Sequence, residues 1–227
     1  MIVGNGLIAS VFLKSEEDYK DYIIFASGVS SSKETKYEEF EREKTLLKNV
    51  LKKNNNLKLI YFSTILSDKI DNLYYQHKLS IENYIKKNCI NYKIYRIPQI
   101  LGYSGNNDNL VNYFVNKIKK NEEISLYKNV KRSILDVDDL KKIVDINLTN
   151  SKNETLNISS IEKISVINLC KKIGDILNIR PKIKIIVVTT KLNWNTRNSK
   201  KINEIINSLD LVKKNYTNNT LIKYIKK

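Results

Sequence analysis

A tyrosine and a lysine lie four residues apart in FSTILSDKIDNLYYQHKLSIENYI, which covers residues 62–85. On a helix, Tyr74 and Lys78 would project from the same face, because residues four apart are one turn apart. An ammonium group near a phenol favours the phenolate and lowers the pKa of the phenol. The pair could therefore exchange a proton near neutral pH. Thr64, which ends the preceding apolar stretch, could stabilise an alkoxide formed from a substrate carbonyl.

The same spacing also occurs by chance, because the chain contains 14 tyrosines and 40 lysines and arginines. The pair alone therefore favours an ordinary helix surface. A second motif changes this interpretation, since VGNGLIAS places Gly4, Gly6 and Ala9 in a Gly-x-Gly-x-x-Ala pattern after a short strand. Glycines let the backbone approach a diphosphate, and the helix that follows offers unpaired N–H groups. Together the two motifs predict a dinucleotide-dependent enzyme.

Apolar, strand-like segments alternate with amphipathic segments in the first half of the chain, as in LKLIYFST followed by YYQHKLSIENYIKK. An apolar stripe runs between the charges of the helix predicted for residues 37–52, and it consists of Phe40, Leu46, Leu47 and Val50. This alternation predicts an α/β fold, namely a Rossmann-like parallel sheet with helices on both faces.

The pattern loosens in the second half of the chain. We expect residues 1–122 to form the Rossmann-like core, with contributions up to about residue 150, and residues 123–227 to form a smaller α+β lobe. The two parts should form a single compact unit. Within the lobe, SILDVDDLKKIVDINL is predicted to be a turn that runs into a helix. Open α/β sheets bind ligands at the carboxyl ends of their strands, where this lobe should pack.

The segment after the glycine turn is short. A dinucleotide fold normally places a ribose-binding residue at the end of a second strand, about 20 residues further on. Here the chain runs through FLKSEEDYKDYIIF and reaches the next strand almost at once. We therefore expect a fold shortened by about one βα unit, in which the adenosine half of the cofactor pocket is open.

With these motifs in order, the chain resembles the extended short-chain dehydrogenase/reductase family, the NAD-dependent epimerases and dehydratases that modify nucleotide sugars. The motif Tyr74-x-x-x-Lys78 matches the catalytic pair of this family, and Thr64 stands at the catalytic hydroxyl position. The segments IIFASG and YRIPQILG resemble family segments that line the cofactor, NAD or NADP. By resemblance, the cofactor contacts are Gly4, Gly6, Leu7, Ile8, Ala26, Ser27, Gly28, Ser63, Lys78 and Pro98.

Two further positions are assigned to the substrate by the same resemblance. The stretch KRSILDVDDL is similar to a family segment whose arginine clamps the substrate's diphosphate, which assigns that role to Arg132. A guanidinium suits a diphosphate better than an ammonium does. Gln99 stands where the family has asparagine. Ile65 and Leu66 replace the acidic pair of the sugar dehydratases, which argues against dehydration.

The resemblance implies a reductase or epimerase that acts on a nucleotide-linked keto-sugar in polysaccharide biosynthesis. Reduction is favoured, because the sequence shows no additional acid–base pair for a second stereocentre. A homodimer through the helices at 37–52 and 74–87 is also implied. The alternative is a catalytically degenerate relative that binds a nucleotide sugar or a partner protein without hydride transfer.

The formal net charge of +16 does not by itself predict a nucleic-acid partner, because the lysines are scattered beside acids. No apolar run is long enough to span a membrane, and MIVGNG differs from a secretion signal. Cys89 and Cys170 are predicted to be buried, reduced thiols. These features predict a cytoplasmic protein with no nucleic-acid or membrane partner.

The remaining polar and aromatic candidates have ordinary interpretations. Asp138 and Asp139 are interpreted as caps of the helix that begins there, and no cluster has metal-ligand spacing, so no metal is predicted. His77, inside the Tyr–Lys turn, is expected to pack rather than to act as a base. Trp194 could stack on a base or sugar, but a core position is the simpler account.

Overall fold

The computed structural model describes residues 1–68, 72–103, 109–148, 153–159, 161–187 and 196–226. In chain order the elements are β1 (Ile2–Val3), α1 (Leu7–Leu13), β2 (Tyr22–Phe25), α2 (Tyr37–Lys53), β3 (Lys58–Thr64), α3 (Leu73–Asn88), β4 (Tyr92–Ile97), β5 (Gln99–Leu101), α4 (Leu110–Lys119), β6 (Glu123–Tyr127), β7 (Lys131–Asp136), α5 (Val137–Leu148), β8 (Glu154–Asn157), β9 (Lys163–Ser165), α6 (Val166–Leu177), β10 (Lys182–Ile186), α7 (Lys200–Ser208) and α8 (Tyr216–Ile225).

The main sheet has the strand order β1-β2-β3-β4-β8, and all of its strand pairs are parallel. Successive side chains of a strand point to opposite faces. Accordingly, Leu59 and Tyr61 of β3 pack against α2 and α3, whereas Ile60 and Phe62 pack on the face covered by α1 and α5. The predicted Rossmann-like α/β fold is confirmed.

The strand β1 lies at the edge of this sheet, where it pairs with β2. In the doubly wound order 3-2-1-4-5-6, further strands lie beyond strand 1. Residues 4–21, which are all described, hold α1 and no strand. Strands 2 and 3 of that order have no counterpart between β1 and β2, so the fold is shortened on the adenosine side of a dinucleotide site by two strands, more than the one βα unit expected.

A second apolar cluster is built from α4, α6, α8 and the strands β6, β7 and β9. The stretch predicted to begin with a turn, from Ser133, instead begins within the strand β7 (Lys131–Asp136), which pairs with β5 in parallel and with β9 in antiparallel orientation. Only two of its six residues are apolar, so the local pattern was weak. Its strand conformation depends on two partners that are distant in sequence.

The chain alternates between the two clusters. Helix α4 packs in the second cluster, whereas α5, β8 and α7 return to the main sheet. The main sheet is therefore completed by residues from the last third of the chain. Within the described part of the chain, no helix combines the length and apolar character that a bilayer crossing requires.

The capping of α5 differs from the prediction. Asp136 Oδ1 accepts the backbone N–H of Asp138 at 2.9 Å, so Asp136 provides the cap. Asp138 and Asp139 lie in the first turn of the helix, where their negative charges interact favourably with the positive end of the helix dipole. The prediction placed the cap two residues too late because β7 was not recognised as a strand running directly into α5.

Candidate functional site

The glycine turn lies directly against the end of β2. Gly4 has a φ of +126°, and a Cβ on it would lie 2.5 Å from the carbonyl oxygen of Ala26. A side chain is therefore excluded by conformation and by space. A Cβ on Gly6 would meet nothing within 4 Å, so the turn is open above Gly6. Ala9 is fully buried, which allows α1 to pack closely on the sheet.

Replacing Gly4 by alanine should lower the free energy of unfolding by about 1–3 kcal/mol, because the new Cβ is strained and overlaps the β2 backbone. Urea unfolding would measure this loss. The matched control is Gly6→Ala, which should cost less than about 1 kcal/mol, because this N-cap has an ordinary φ of −79° and a Cβ on it would meet nothing within 4 Å. Equal losses in the two variants would contradict the described turn.

The loop after β2 lies on a buried ion pair. Ala26, Ser27 and Gly28 are half-buried, and a Cβ on Gly28 would lie 2.5 Å from Lys78 Nζ and 3.0 Å from Glu43 Oε1. The absence of a side chain at Gly28 therefore lets the ion pair reach the backbone of the loop. This loop and the glycine turn are neighbours, because Ala26 N–H donates to the Val3 carbonyl at 2.8 Å.

The two hydroxyl residues at the end of β3 point to opposite faces of the sheet. Thr64 is half-buried at the carboxyl end of the strand, and its Oγ1 accepts the Leu66 N–H at 3.4 Å. Ser63 is buried under α3 and donates to Glu82 Oε1 at 2.6 Å. That carboxylate also binds Arg96. Ser63 is thus engaged in a structural network, an arrangement that gives no support to the expected cofactor contact.

Helix α3 brings Tyr74 and Lys78 together. Its N-cap is Asn72, whose side chain accepts the N–H of Tyr75 at 3.0 Å. Lys78 Nζ lies 5.8 Å from the centre of the Tyr74 ring and 5.4 Å from that of Tyr61. The sequence-based expectation that Tyr74 and Lys78 share one face of a helix agrees with this geometry.

The expected effect of Lys78 on Tyr74 is wrong. Lys78 Nζ is buried and lies 3.0 Å and 3.2 Å from the two carboxylate oxygens of Glu43. Burial and the charge of Glu43 raise the pKa of Tyr74 above its ordinary value. The carboxylate offsets the ammonium charge that would have lowered this pKa. Tyr74 is therefore a neutral phenol at neutral pH.

Glu43 was missed by the sequence analysis, although a signal was present. It lies in the charged run YEEFEREK, but its position places it on the buried face of α2 with Phe40, Leu47 and Val50. A carboxylate that interrupts an apolar stripe needs a partner. Burial alone would raise the pKa of Glu43, but the Lys78 charge and hydrogen bonds outweigh it, so this pKa lies well below its ordinary value.

His77 also binds Glu43, which agrees with its expected packing role. Its Nε2 lies 3.0 Å from Glu43 Oε2, and its ring lies on that of Phe40 with the ring centres 4.9 Å apart. The hydroxyl of Tyr61 donates to Glu43 Oε1 at 2.7 Å, and the N–H of Val29 donates to Oε2 at 2.8 Å. We call Glu43, Tyr61, His77 and Lys78 the Glu43 cluster.

The positions assigned to the substrate lie on β5 and β7. Arg132 is half-buried beside α3, where burial lowers its pKa and the nearby Tyr75 hydroxyl opposes that shift. Gln99 is half-buried opposite Ile134 of β7, directly after Pro98. The structure thus brings Arg132 to the helix that carries Tyr74. A cavity of about 420 Å³ opens between the end of β5, α4 and α8.

The described residues contain neither a cluster that could hold a metal ion nor a reactive thiol. No group of three or more His, Cys, Asp or Glu side chains there could hold a metal ion. Cys89 and Cys170 are free, and burial raises the pKa of both thiols to about 11, which makes them poor nucleophiles. Trp194 lies outside the described residues.

Residues 67–159 match the sequence model of the NAD dependent epimerase/dehydratase family. The matched segment includes Tyr74, Lys78, Gln99 and Arg132. No curated protein sequence matches the chain.

Solved structures with similar folds are enzymes of nucleotide sugars. The dTDP-4-dehydrorhamnose reductase of Bacillus anthracis, solved with NADP, is 20% identical; the match covers 96% of this chain and 84% of that one, with a TM-score of 0.66. The dTDP-glucose 4,6-dehydratase of the same organism, solved with NAD, is 16% identical over 91% of this chain and 71% of that one, with a TM-score of 0.68.

A third structure adds an epimerase. The UDP-glucose 4-epimerase of Thermotoga maritima, solved with UDP-glucose, is 16% identical over 91% of this chain and 76% of that one, with a TM-score of 0.66. At such identities the likeness shows the fold. The resemblance inferred from the sequence is confirmed: the chain has the fold of these reductases, dehydratases and epimerases, and its residues 67–159 carry the sequence pattern of the NAD dependent epimerase/dehydratase family.

Proposed function

We propose that the chain reduces a keto group of a nucleotide-linked sugar with a nicotinamide cofactor, and that Tyr74 is the proton donor. The supporting observation is the position of Tyr74, whose ring lies 5.8 Å from Lys78 Nζ on the same face of α3. A reductase must protonate the oxygen that receives hydride, and a neutral phenol can do so. Epimerisation begins by removing a proton from a sugar hydroxyl, for which a phenolate is needed.

The residues around the glycine turn fit the nicotinamide half of NAD or NADP. The turn is open above Gly6, and Gly4 holds it against the loop that ends β2. The groups that would hold the cofactor are Gly4, Gly6, Leu7, Ile8, Ala26, Ser27, Gly28 and Pro98. Bound there, the cofactor would supply the hydride.

Within this proposal, each polar residue of the site has one task. Thr64 would donate a hydrogen bond to the carbonyl oxygen, and Tyr74 would give that oxygen its proton as hydride adds to the carbon. Arg132, beside α3, would bind the diphosphate of the nucleotide sugar, with Gln99 nearby. Ile65 and Leu66 offer no carboxylate for water loss, so dehydration is not proposed.

The cellular setting is proposed from the family resemblance. This resemblance supports a cytoplasmic reaction in polysaccharide biosynthesis. It also supports a homodimer formed through α2 and α3.

The test is a turnover assay with the purified chain, NADH or NADPH, and a panel of keto-sugar nucleotides. We expect the absorbance of the reduced nicotinamide to fall in the presence of at least one keto-sugar. Product analysis should show a new hydroxyl at the former carbonyl carbon. The absence of turnover with every substrate and both cofactors would contradict the proposal.

A second candidate is nucleotide-sugar binding without hydride transfer. The observation that favours it is the complete pairing of Lys78, whose ammonium is held by Glu43 and lies 3.3 Å from the Tyr61 hydroxyl. A lysine held in this way is less free to bind the ribose of a cofactor. Calorimetry with NAD, NADP and their reduced forms separates the candidates, because the absence of binding at millimolar concentration would favour this one.

A further inference from the structure

We infer that Glu82 of α3 is a positioning residue: its carboxylate holds both ends of the turn around Thr64 and thereby fixes this threonine relative to the helix that carries Tyr74. The inference rests on the proposed function, in which Thr64 binds the carbonyl oxygen and Tyr74 supplies the proton. Glu82 is fully buried, and it is none of the residues assigned to cofactor binding, sugar binding or proton transfer.

One face of α3 carries three ionisable residues in successive turns. Tyr74, Lys78 and Glu82 follow one another at intervals of four residues, so their side chains project from the same side of the helix. Lys78 and Glu82 are buried. A fully buried carboxylate needs hydrogen-bond partners that replace its lost hydration. Glu82 finds these partners at the carboxyl ends of β3 and β4.

Two serines that flank Thr64 bind the same oxygen atom of Glu82. Ser63 Oγ donates to Glu82 Oε1 at 2.6 Å, and Ser67 Oγ donates to it at 3.0 Å. Ser63 comes directly before Thr64. Ser67 lies three residues after Thr64, and its N–H closes the turn by donating to the Thr64 carbonyl at 3.1 Å. The turn that contains Thr64 is therefore tied to α3 on both sides of the threonine.

Arg96 connects the same carboxylate to the neighbouring strand β4. Its Nε lies 2.9 Å from Glu82 Oε1, and its Nη2 lies 2.7 Å from Oε2. Its Nη1 donates to Asp68 Oδ2 at 2.8 Å, so the arginine also holds the residue that follows Ser67. A guanidinium that binds both carboxylate oxygens fixes direction as well as distance. Glu82 cannot rotate away without breaking several of these hydrogen bonds, so it holds α3, β4 and the turn in one arrangement.

The place of Thr64 matters because of the hydrogen bond that it would donate in the proposed reaction. Thr64 Oγ1 accepts the Leu66 N–H at 3.4 Å, and a hydroxyl that accepts still has its own hydrogen to donate. Such a donor stabilises the developing negative charge only where the oxygen forms. A misplacement of about 1 Å can cost about 10²-fold in rate. Glu82 therefore acts on the reaction through Thr64 and contacts neither substrate nor cofactor.

The kinetic test replaces Glu82 by leucine, which has a similar size but no hydrogen-bonding group. We expect kcat for keto-sugar reduction to fall by about 10- to 100-fold, because the threonine donor loses its fixed place. The affinity for the nucleotide sugar, measured by calorimetry, should be nearly unchanged, because Arg132 on β7 is still present to bind the diphosphate. An unchanged kcat in Glu82→Leu would overturn the inference.

Ser67→Ala is a milder variant that tests the inference even if Glu82→Leu does not fold. It removes one hydrogen bond to Glu82 and leaves the pair of Glu82 and Arg96 in place. We expect a smaller fall in kcat. In the double variant Glu82→Leu/Ser67→Ala, kcat should equal that of Glu82→Leu, because both changes remove the same contact. Full kcat in Ser67→Ala, or a further fall in the double variant, would overturn the inference.

The matched control breaks a buried ion pair at the other end of β4. Glu154 of β8 accepts from the fully buried Lys93 at 2.6 Å, near the amino end of the strand. Glu154→Gln should lower stability but leave kcat nearly unchanged, because the turn around Thr64 keeps its contacts. An equal fall of kcat in Glu154→Gln and Glu82→Leu would indicate a general loss of stability and overturn the inference.

Amide hydrogen exchange, measured by NMR, reports on the turn without turnover. The N–H of Ile65 donates to the Ile97 carbonyl at 3.0 Å, and the N–H of Ser67 closes the turn. In Glu82→Leu, and for Ile65 also in Ser67→Ala, these amides should exchange at least about tenfold faster than in the wild-type chain. The amides within β3 should change no more than they do in Glu154→Gln. Unchanged exchange of the turn would overturn the inference.

The two readouts allow the inference and the proposed function to fail separately. Faster exchange of the turn in a chain without reductase activity would support the hold of Glu82 on the turn and contradict the proposed function. Reductase activity of the wild-type chain with unchanged exchange in the variants would support the function and overturn the role of Glu82. Faster exchange with an unchanged kcat would also overturn that role.

Discussion

Replacing Tyr74 by phenylalanine should lower kcat for keto-sugar reduction by about 10²- to 10⁴-fold, the usual contribution of a general acid. The substitution removes one hydroxyl and keeps the ring, which packs on Tyr75 with the ring centres 5.1 Å apart. The affinity for the nucleotide sugar should be nearly unchanged, because the proton is transferred after binding. Steady-state kinetics and calorimetry measure the two effects.

The matched control for this variant is Tyr84→Phe. Tyr84 lies on the same helix but ten residues further along, where the ammonium of Lys48 lies 5.5 Å from its ring centre. This change should leave kcat within a factor of about two, as expected for a substitution away from the reacting atoms. Equal turnover in the wild-type chain and Tyr74→Phe would remove Tyr74 from the mechanism.

Breaking the Glu43–Lys78 pair from one side should have a large effect on stability. In Glu43→Gln we expect the free energy of unfolding to fall by about 3–5 kcal/mol, because an uncompensated buried charge remains. The double variant Glu43→Gln/Lys78→Met removes both charges and should recover most of that loss. Urea unfolding of the wild-type chain, both single variants and the double variant gives the coupling between the two residues.

The same pair predicts a pH dependence. The pKa of Glu43 in the folded chain is lowered from an ordinary value of 4.5, so the unfolded chain binds its proton first as the pH falls. The stabilisation by Glu43 is therefore complete above pH 4.5 and decreases as the pH drops below that value. This loss should be absent from Glu43→Gln.

An exposed ion pair serves as the comparison for the buried one. Lys142 pairs with Asp139 at 2.9 Å, and the lysine side chain is 56% exposed. Lys142→Met should cost less than about 1 kcal/mol, as is typical of surface pairs. If Glu43→Gln costs no more than this control, then Lys78 is not the buried, paired group described above.

Local sequence patterns were sufficient to predict the alternating strands and helices of the main sheet. Strands and helices of the main sheet follow from apolar periodicity, which each segment carries in its own residues. The common face of Tyr74 and Lys78 follows from helix geometry alone. The opposite directions of Ser63 and Thr64 could also have been predicted, since neighbouring residues of a strand alternate between the faces of a sheet.

Non-local contacts explain what the sequence analysis missed. β7 is a strand because β5 and β9 pair with it, and neither pairing is visible in KRSILD. Burial, and after it the charge of Glu43, raises the pKa of Tyr74, and Glu43 is remote in sequence and comes near the tyrosine only when α2 and α3 pack side by side. The four-residue spacing in α3 correctly predicted that Lys78 and Tyr74 are neighbours. It did not reveal the carboxylate of Glu43, which offsets the positive charge of the lysine.

The alternation of the chain between its two apolar clusters also constrains the order of folding. β4 lacks one of its two neighbours until β8 has been synthesised, and the α1 side of the sheet is incomplete until α7 docks. A nascent chain on the ribosome that has produced both α3 and β4 therefore still exposes a strand edge and an apolar sheet face. Tyr74 and Lys78 are translated before β8 and α7, so the sheet that carries them becomes complete only after those later elements have been synthesised.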